Sequence, residues 1–256
     1  MLETSLSLSS LAFTSLRKFQ FSYNSPSVIS TMKIQGGSTT AVIEPTSSMS
    51  TSCCVHVIEV SINTGSIIIP QKKPLLVIAN HPFGIIDGLI LCSLISQIRD
   101  DFKIMTHETL QFLPQLSKFI LPVDFNGQTK KSKKLNIQTA NSAKEHLANN
   151  GVVIIFPSGG VSIANSIKSD AIDDEWKLFP AKLIHQTKTN ILPIYFNGKN
   201  GLLFHLFASK IKNQTLKYST YIHETKKKIG KEITIYPGKI IHYKEIEYMT
   251  NRAELT

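Results

Sequence analysis

His81 and Asp87 are the residues of this 256-residue chain whose types and spacing point first to chemistry. They lie in Asn80-His81-Pro82-Phe83-Gly84-Ile85-Ile86-Asp87-Gly88, directly after the apolar run Leu75-Leu76-Val77-Ile78-Ala79. Such a run reads as a buried strand, and open α/β sheets place their ligands at the carboxyl ends of strands. An imidazole there can take a proton, and a nearby carboxylate can orient the ring and hold it as a general base. On an ideal helix six positions amount to about 600°, so the two side chains would point apart. They can meet only if Pro82-Phe83-Gly84 turns before a helix begins. Pro82 fixes one dihedral, and Gly84 can take conformations closed to other residues. The same residues also read as a histidine in a turn and an acid opening a helix. Asn80 can polarise a carbonyl or serve as a structural amide at the strand end.

A second segment carries the other half of a site. Val152-Val153-Ile154-Ile155-Phe156 is β-branched and uncharged, as a strand buried on both faces should be. It runs into Pro157-Ser158-Gly159-Gly160-Val161-Ser162. Two glycines after a buried strand let the backbone approach a ligand or aim N–H groups at an anion. An ordinary tight turn would use the same residues, and Ser162 can bond a ligand or cap that turn.

In this order and spacing the two segments resemble the glycerolipid (lysophospholipid) acyltransferase superfamily. The wording Asn-His-Pro-Phe-Gly-x-x-Asp-Gly and Phe-Pro-x-Gly-x-Val-Ser is similar to its hemolysin-like branch, which includes enzymes of ornithine-type lipids. The likeness runs through Trp176-Lys177 and Ile194-Tyr195-Phe196-Asn197-Gly198 to about residue 250. The resemblance implies an O-acyltransferase of phospholipid or related lipid metabolism. His81 would deprotonate the hydroxyl of a lysolipid acceptor, which attacks the thioester of acyl-CoA or an acyl carrier protein. Asp87 would fix the tautomer and stabilise the imidazolium. Phe156, Pro157, Ser158, Gly159, Gly160 and Ser162 would hold the acceptor or the developing oxyanion. Most of the superfamily has four residues between His and Asp, whereas five stand here, as in the branch. Many members have Glu after the Pro and an Arg two positions beyond the Gly; here those positions are Ser158 and Val161. That Arg grips glycerol phosphate, so its loss leaves room for a lysolipid with another head group. A catalytically inactive lipid-binding member of the same fold is the alternative.

Composition narrows the partners. The net charge is +10, and residues 1–60 are balanced, so the basic excess lies in residues 61–256. A basic surface suits nucleic acid, an anionic membrane or an acidic carrier protein. No nucleic-acid motif accompanies the charge, which favours membrane and acyl donor over nucleic acid. Lys130-Lys131-Ser132-Lys133-Lys134 reads as a solvated loop able to meet the phosphates of coenzyme A. Cys53, Cys54 and Cys92 form neither a disulfide framework nor a metal spacing, and no His/Cys/Asp cluster has ligand spacing, so no metal and no resident cofactor are expected. Cys92 reads as a small buried hydrophobe. No apolar stretch is long enough to span a bilayer, since Ile191 to Ala208 is broken by Asn197-Gly198-Lys199-Asn200-Gly201. The expected placement is therefore peripheral, at the cytoplasmic face of a membrane. The cluster Leu202, Leu203, Phe204, Leu206 and Phe207 can dip into that bilayer, line an acyl tunnel or join the core.

The elements that must position these residues follow from periodicity. Residues 1–52 are rich in Ser and Thr and lack it, so they read as a disordered tail, with a weak likeness to a targeting segment or amphipathic anchor in the first 20 residues. The domain is expected over 53–256. Strands are expected near 55–60, 75–79, 103–105, 120–123, 152–156, 191–196 and 232–236. Helices are expected over 86–98, 135–150, from Trp176 through Ile184, over 215–229 and over 245–254, with broken helical pieces at 108–119. Strands alternate with helices, which makes a single α/β layered domain, and the resemblance implies a mixed, mostly parallel sheet flanked by helices. His107, at a strand-to-helix junction, can line the same cleft. His146, His185, His223 and His242 read as surface residues.

Overall fold

The computed structural model describes residues 40–43, 49–51, 58–62, 67–112, 116–125, 127, 129–164, 166, 169–208 and 214–249. Its centre is an eight-stranded sheet. Along the chain the strands are β1 (Thr40–Ile43), β2 (Met49–Thr51), β3 (Ile58–Ile62), β4 (Ile67–Pro70), β5 (Leu75–Ala79), β6 (Phe102–His107), β7 (Ile120–Val123), β8 (Val152–Ile155), β9 (Asn190–Phe196) and β10 (Glu232–Pro237). Their order in the sheet is β2-β3-β10-β9-β5-β8-β6-β7, while β1 and β4 form a separate antiparallel pair. Among the described residues of this sheet, the β2–β3 and β10–β9 pairings are antiparallel and the other five are parallel. The sheet is thus mixed and mostly parallel. Both β1 and β2 precede residue 53, while residues 1–39, Cys53 and Cys54 lie outside the described residues.

The central strands are buried on both faces, which explains their uninterrupted apolar runs. Successive side chains alternate across the sheet. Leu75, Val77 and Ala79 join one core with Val152 and Ile154, whereas Leu76 and Ile78 join the other with Val153 and Ile155. Helix α1 (Ile85–Ser96) covers the first face through Ile86, Ile90, Leu91, Leu94 and Ile95. Helices α2 (Lys130–Ala148) and α3 (Phe179–Thr187) cover the second, through Ala143 and Leu147 and through Leu183 and Ile184. Helices α4 (Leu202–Ala208), α5 (Gln214–Lys228) and the single turn α6 (Tyr243–Ile246) complete the order. Cys92 packs against the first core, where burial pushes its thiol up to about 12.

Three expectations shift. The lysine run is not a loop but the opening of α2: the Thr129 hydroxyl caps it by accepting the Ser132 N–H, and all four lysines stay exposed. Placing cations there opposes the helix dipole, which is why charge alone did not suggest a helix. The segment at 108–119 contains two 3-10 turns, Glu108–Phe112 and Ser117–Phe119. The terminal helix is the one turn α6, and residues 250–256 lie outside the described residues.

The connections define where a ligand can sit. From β5 the chain leaves through α1 on one face toward β6. From its neighbour β8 it leaves through α3 on the opposite face toward β9. Adjacent parallel strands whose connections depart in opposite directions open a crevice beyond their carboxyl ends. Asn80-His81 and Phe156–Ser162 are the segments at those two ends.

Candidate active site

Ile78 of β5 is in register with Ile155 of β8, so the two loops emerge about 4.8 Å apart. The turn after β5 is made by Gly84, whose φ of 82° lies where only glycine sits comfortably. A Cβ at Gly84 would also press on Val161 and Tyr221. The turn breaks the helical phase, and α1 then delivers Asp87 back under His81. His81 Nδ1 lies 3.0 Å from Asp87 Oδ2. The same oxygen accepts the N–H groups of Phe83 and Gly84 at 2.9 and 3.0 Å, so Asp87 caps α1 while holding the ring. The carboxyl is fully buried. Burial pushes its pKa above the ordinary carboxylate value, and His81 together with the Phe83 and Gly84 N–H groups pulls it part of the way back. An ionised carboxylate can only accept, so opposite Asp87 the ring proton belongs on Nδ1 and the lone pair on Nε2.

Phe156 completes the placement of the ring: it stacks on the imidazole with centroids 4.0 Å apart. Gly88 lets α1 pack closely on β6, because a Cβ there would press on Ile104 at 3.2 Å. The Phe156–Gly159 turn closes with Gly159 N–H donating to Phe156 C=O at 3.0 Å. Gly159 takes φ 71° and lies against Phe125, whereas a Cβ at Gly160 would meet nothing within 4 Å. The backbone at Gly160 therefore borders open space, as a ligand-approaching loop requires.

Several expected site residues face inward. The Asn80 amide donates to Phe196 C=O at 2.9 Å and accepts Phe196 N–H at 2.7 Å, stitching the end of β5 to β9. The Ser158 hydroxyl donates to Gly160 C=O at 2.9 Å, shaping the turn. Pro157 offers its C=O to Lys177 N–H at 3.1 Å. Ser162 is buried, with its hydroxyl on Asp173 and its N–H donating to His81 C=O at 2.9 Å. His107, at the end of β6, stacks at 6.0 Å on Phe125 and so flanks the second loop. Burial holds its pKa below the ordinary imidazole value, against the pull of Glu108 and Asp124.

Sequence reasoning missed Asp173. It accepts the His81 N–H at 3.1 Å, the Ser162 hydroxyl and the Trp176 ring N–H at 3.1 Å. Its segment has no periodicity, and the one available signal was an acidic cluster beside Trp176-Lys177. Lys228 was also missed as a neighbour of the site. Its ammonium sits 4.4 Å above the Phe83 ring and donates to Lys199 C=O at 3.0 Å. Among the described residues no group of His, Cys, Asp and Glu is placed to hold a metal ion, and no helix is long and apolar enough to cross a membrane.

A family model described as Acyltransferase matches residues 62–197, more than half of the chain and the part that contains both loops. The lyso-glycine lipid O-acyltransferase of Phocaeicola vulgatus is 22% identical over 192 residues, which cover 73% of this chain and 66% of that protein. The lyso-glycine lipid O-acyltransferase of Bacteroides thetaiotaomicron is 24% identical over 193 residues, covering 73% and 67%. The matched region thus spans about two thirds of the length of these curated relatives. Among solved structures, the 1-acyl-sn-glycerophosphate (LPA) acyltransferase PlsC from Thermotoga maritima aligns with a TM-score of 0.45 at 17% identity, over 77% of this chain and 66% of that one.

Proposed function

The chain belongs to the acyltransferase family, and from that premise we propose that it is an O-acyltransferase moving a fatty acyl group from a thioester to the hydroxyl of a lysolipid. The observation that carries this reading is the 3.0 Å pairing of His81 Nδ1 with buried Asp87, which leaves Nε2 as the base. Nε2 takes the proton of the acceptor hydroxyl as its oxygen attacks the thioester carbonyl. The carbon–sulfur bond then breaks, and the thiolate leaving group takes the proton back from the imidazolium. Asp87 holds the tautomer and offsets the charge of that imidazolium. The open backbone at Gly160 is the place for the developing oxyanion or the acceptor.

The acceptor is a lysolipid of the aminolipid kind rather than a glycerol phosphate. Val161 stands where the resemblance would place a phosphate-gripping Arg, and the two curated relatives are named for a lyso-glycine lipid. The hemolysin-like branch fits the same residues. The enzyme works peripherally at the cytoplasmic face of a membrane, draws acyl-CoA or acyl carrier protein as donor, and uses no resident cofactor.

Purified protein offered labelled acyl-CoA or acyl carrier protein, with lyso-glycine lipid and lysophosphatidic acid as acceptors, tests this directly. Transfer to the aminolipid is expected, and His81→Ala should remove about 10²–10⁴-fold of the rate. A variant keeping more than about a tenth of the wild-type rate would contradict a general base at His81. Lipid binding without turnover in the wild type would instead favour an inactive lipid-binding member of the fold.

A further inference from the structure

We infer that Asp173 is a positioning residue that locks the base-bearing turn to the Phe156–Ser162 loop, an inference that rests on the acyl-transfer reading of the site. His81 is held at three places. Asp87 fixes its ring at Nδ1, and Phe156 stacks on its face. Its main chain is held from the second loop and from the segment that follows it: the C=O accepts Ser162 N–H at 2.9 Å, and the N–H donates to Asp173 Oδ1 at 3.1 Å. Oδ1 also accepts the Ser162 hydroxyl, so one carboxylate oxygen joins both sides of the crevice.

The other oxygen ties this clamp to its support. Oδ2 accepts the Trp176 Nε1–H at 3.1 Å, and Trp176 packs against the core beneath α3. One residue further on, Lys177 N–H donates to Pro157 C=O. On the other flank, Ile172 and Ile163 exchange backbone hydrogen bonds at 3.1 Å. Residues 172–177 therefore form a strap laid across the second loop, with Asp173 as its contact to the base. General-base transfer needs Nε2, the acceptor hydroxyl and the thioester carbonyl in a fixed relation, and a misplacement near 1 Å can cost about 10²-fold. Asp173 sets that relation without touching a reacting atom.

Trp176 is the chain's only tryptophan, so its emission reports the clamp. The test compares Asp173→Ala and the isosteric Asp173→Asn with Asp174→Asn, an exposed neighbour as control. In the transfer assay Asp173→Ala should lower kcat by about 10²-fold with little change in KM, and Asp173→Asn should recover part of that loss. Both should shift the Trp176 emission and move the His81 ring signals in spectra of ¹⁵N-histidine-labelled protein, while Asp174→Asn leaves both unchanged. Wild-type kcat in Asp173→Ala, with the Trp176 emission shifted, would overturn the inference and leave Asp173 as a tether for the indole. If the wild type transfers no acyl group, the functional reading fails separately, and His81 signals unmoved in Asp173→Asn would still overturn the clamp. Should Asp173→Ala not fold, the isosteric variant carries the same comparison.

Discussion

At the scale of single residues, the site sets stability against activity at Asp87. Burial raises the pKa of this carboxyl in the folded chain above its ordinary 3.8. The native state therefore holds its proton to higher pH than the unfolded state does, and stability drains away as pH rises through the folded value. The reaction needs the ionised form, because only a carboxylate offsets an imidazolium and fixes its tautomer. Asp87→Asn should consequently lower transfer by at least about 10²-fold while costing little thermal stability at neutral pH. It should also flatten the fall in melting temperature as pH rises above the ordinary carboxylate value. Thermal scans of both proteins across that range check the point. A variant melting well below wild type at pH 7 would mean that the carboxylate, with its three N–H partners, is a net stabiliser.

At the scale of elements, what was legible in the sequence is what periodicity and composition write into it. The buried strands β5, β8 and β9 and the helix α1 announce themselves as apolar runs, and Gly84 marks the turn that lets His81 reach Asp87. The opening of α2 was hidden because its cap, Thr129, precedes four lysines that suggest solvent. The strap around Asp173 was hidden because it is irregular and takes its shape from contacts with residues far away in sequence. Asn80 shows the same limit: its type fits a catalytic amide, and only the position of Phe196 reveals that both ends of the amide serve the sheet. Arg99, just after α1, is a further such case. It is buried at the opposite end of the sheet from His81, where it donates to the C=O groups of Pro70 and Lys73 at 2.7 Å, to that of Asn150, and to Asp101. It thereby ties the approach to β5, the start of β6 and the end of α2. Arg99→Ala would leave several carbonyls without their donor, at about 1–3 kcal/mol for each that stays buried. A loss of roughly 3 kcal/mol or more in urea unfolding is expected, with KM unchanged in the protein that remains folded. A loss below about 1 kcal/mol would show that water replaces the guanidinium.

At the scale of the whole molecule, the proposed lysolipid substrate predicts that the site end of the sheet meets a bilayer, and the surface there gives that prediction its test. The last turn of α5 meets the turn at Phe83 and the segment after β9 through Lys228, while Lys226 is exposed and exposed Lys227 pairs with Glu224 at 3.0 Å. Beside them α4 turns two leucines outward, Leu202 at 40% and Leu203 at 57% exposure, while Phe204 is 3% exposed and packs on Tyr221. The structure thus divides the apolar cluster that the sequence treats as one: Phe204 belongs to the core, and the side chains of Leu206 and Phe207 lie outside the described residues. Each lysine near an anionic surface contributes about 1 kcal/mol, an attraction that fades within a Debye length of roughly 10 Å at 0.1 M salt. Each leucine that inserts adds about 1.5–3 kcal/mol that salt does not screen. Binding to anionic vesicles should therefore have two parts, one released by salt and one retained. Changing Leu202 and Leu203 together to Ser should lower the retained part by at least about tenfold and leave the melting temperature unchanged. Phe204→Ser should do the reverse, destabilising the fold by about 3–5 kcal/mol as other buried phenylalanine truncations do. Retained binding that survives the double leucine change would move the anchor away from α4, and a fall in melting temperature in that variant would place the two leucines in the packed interior.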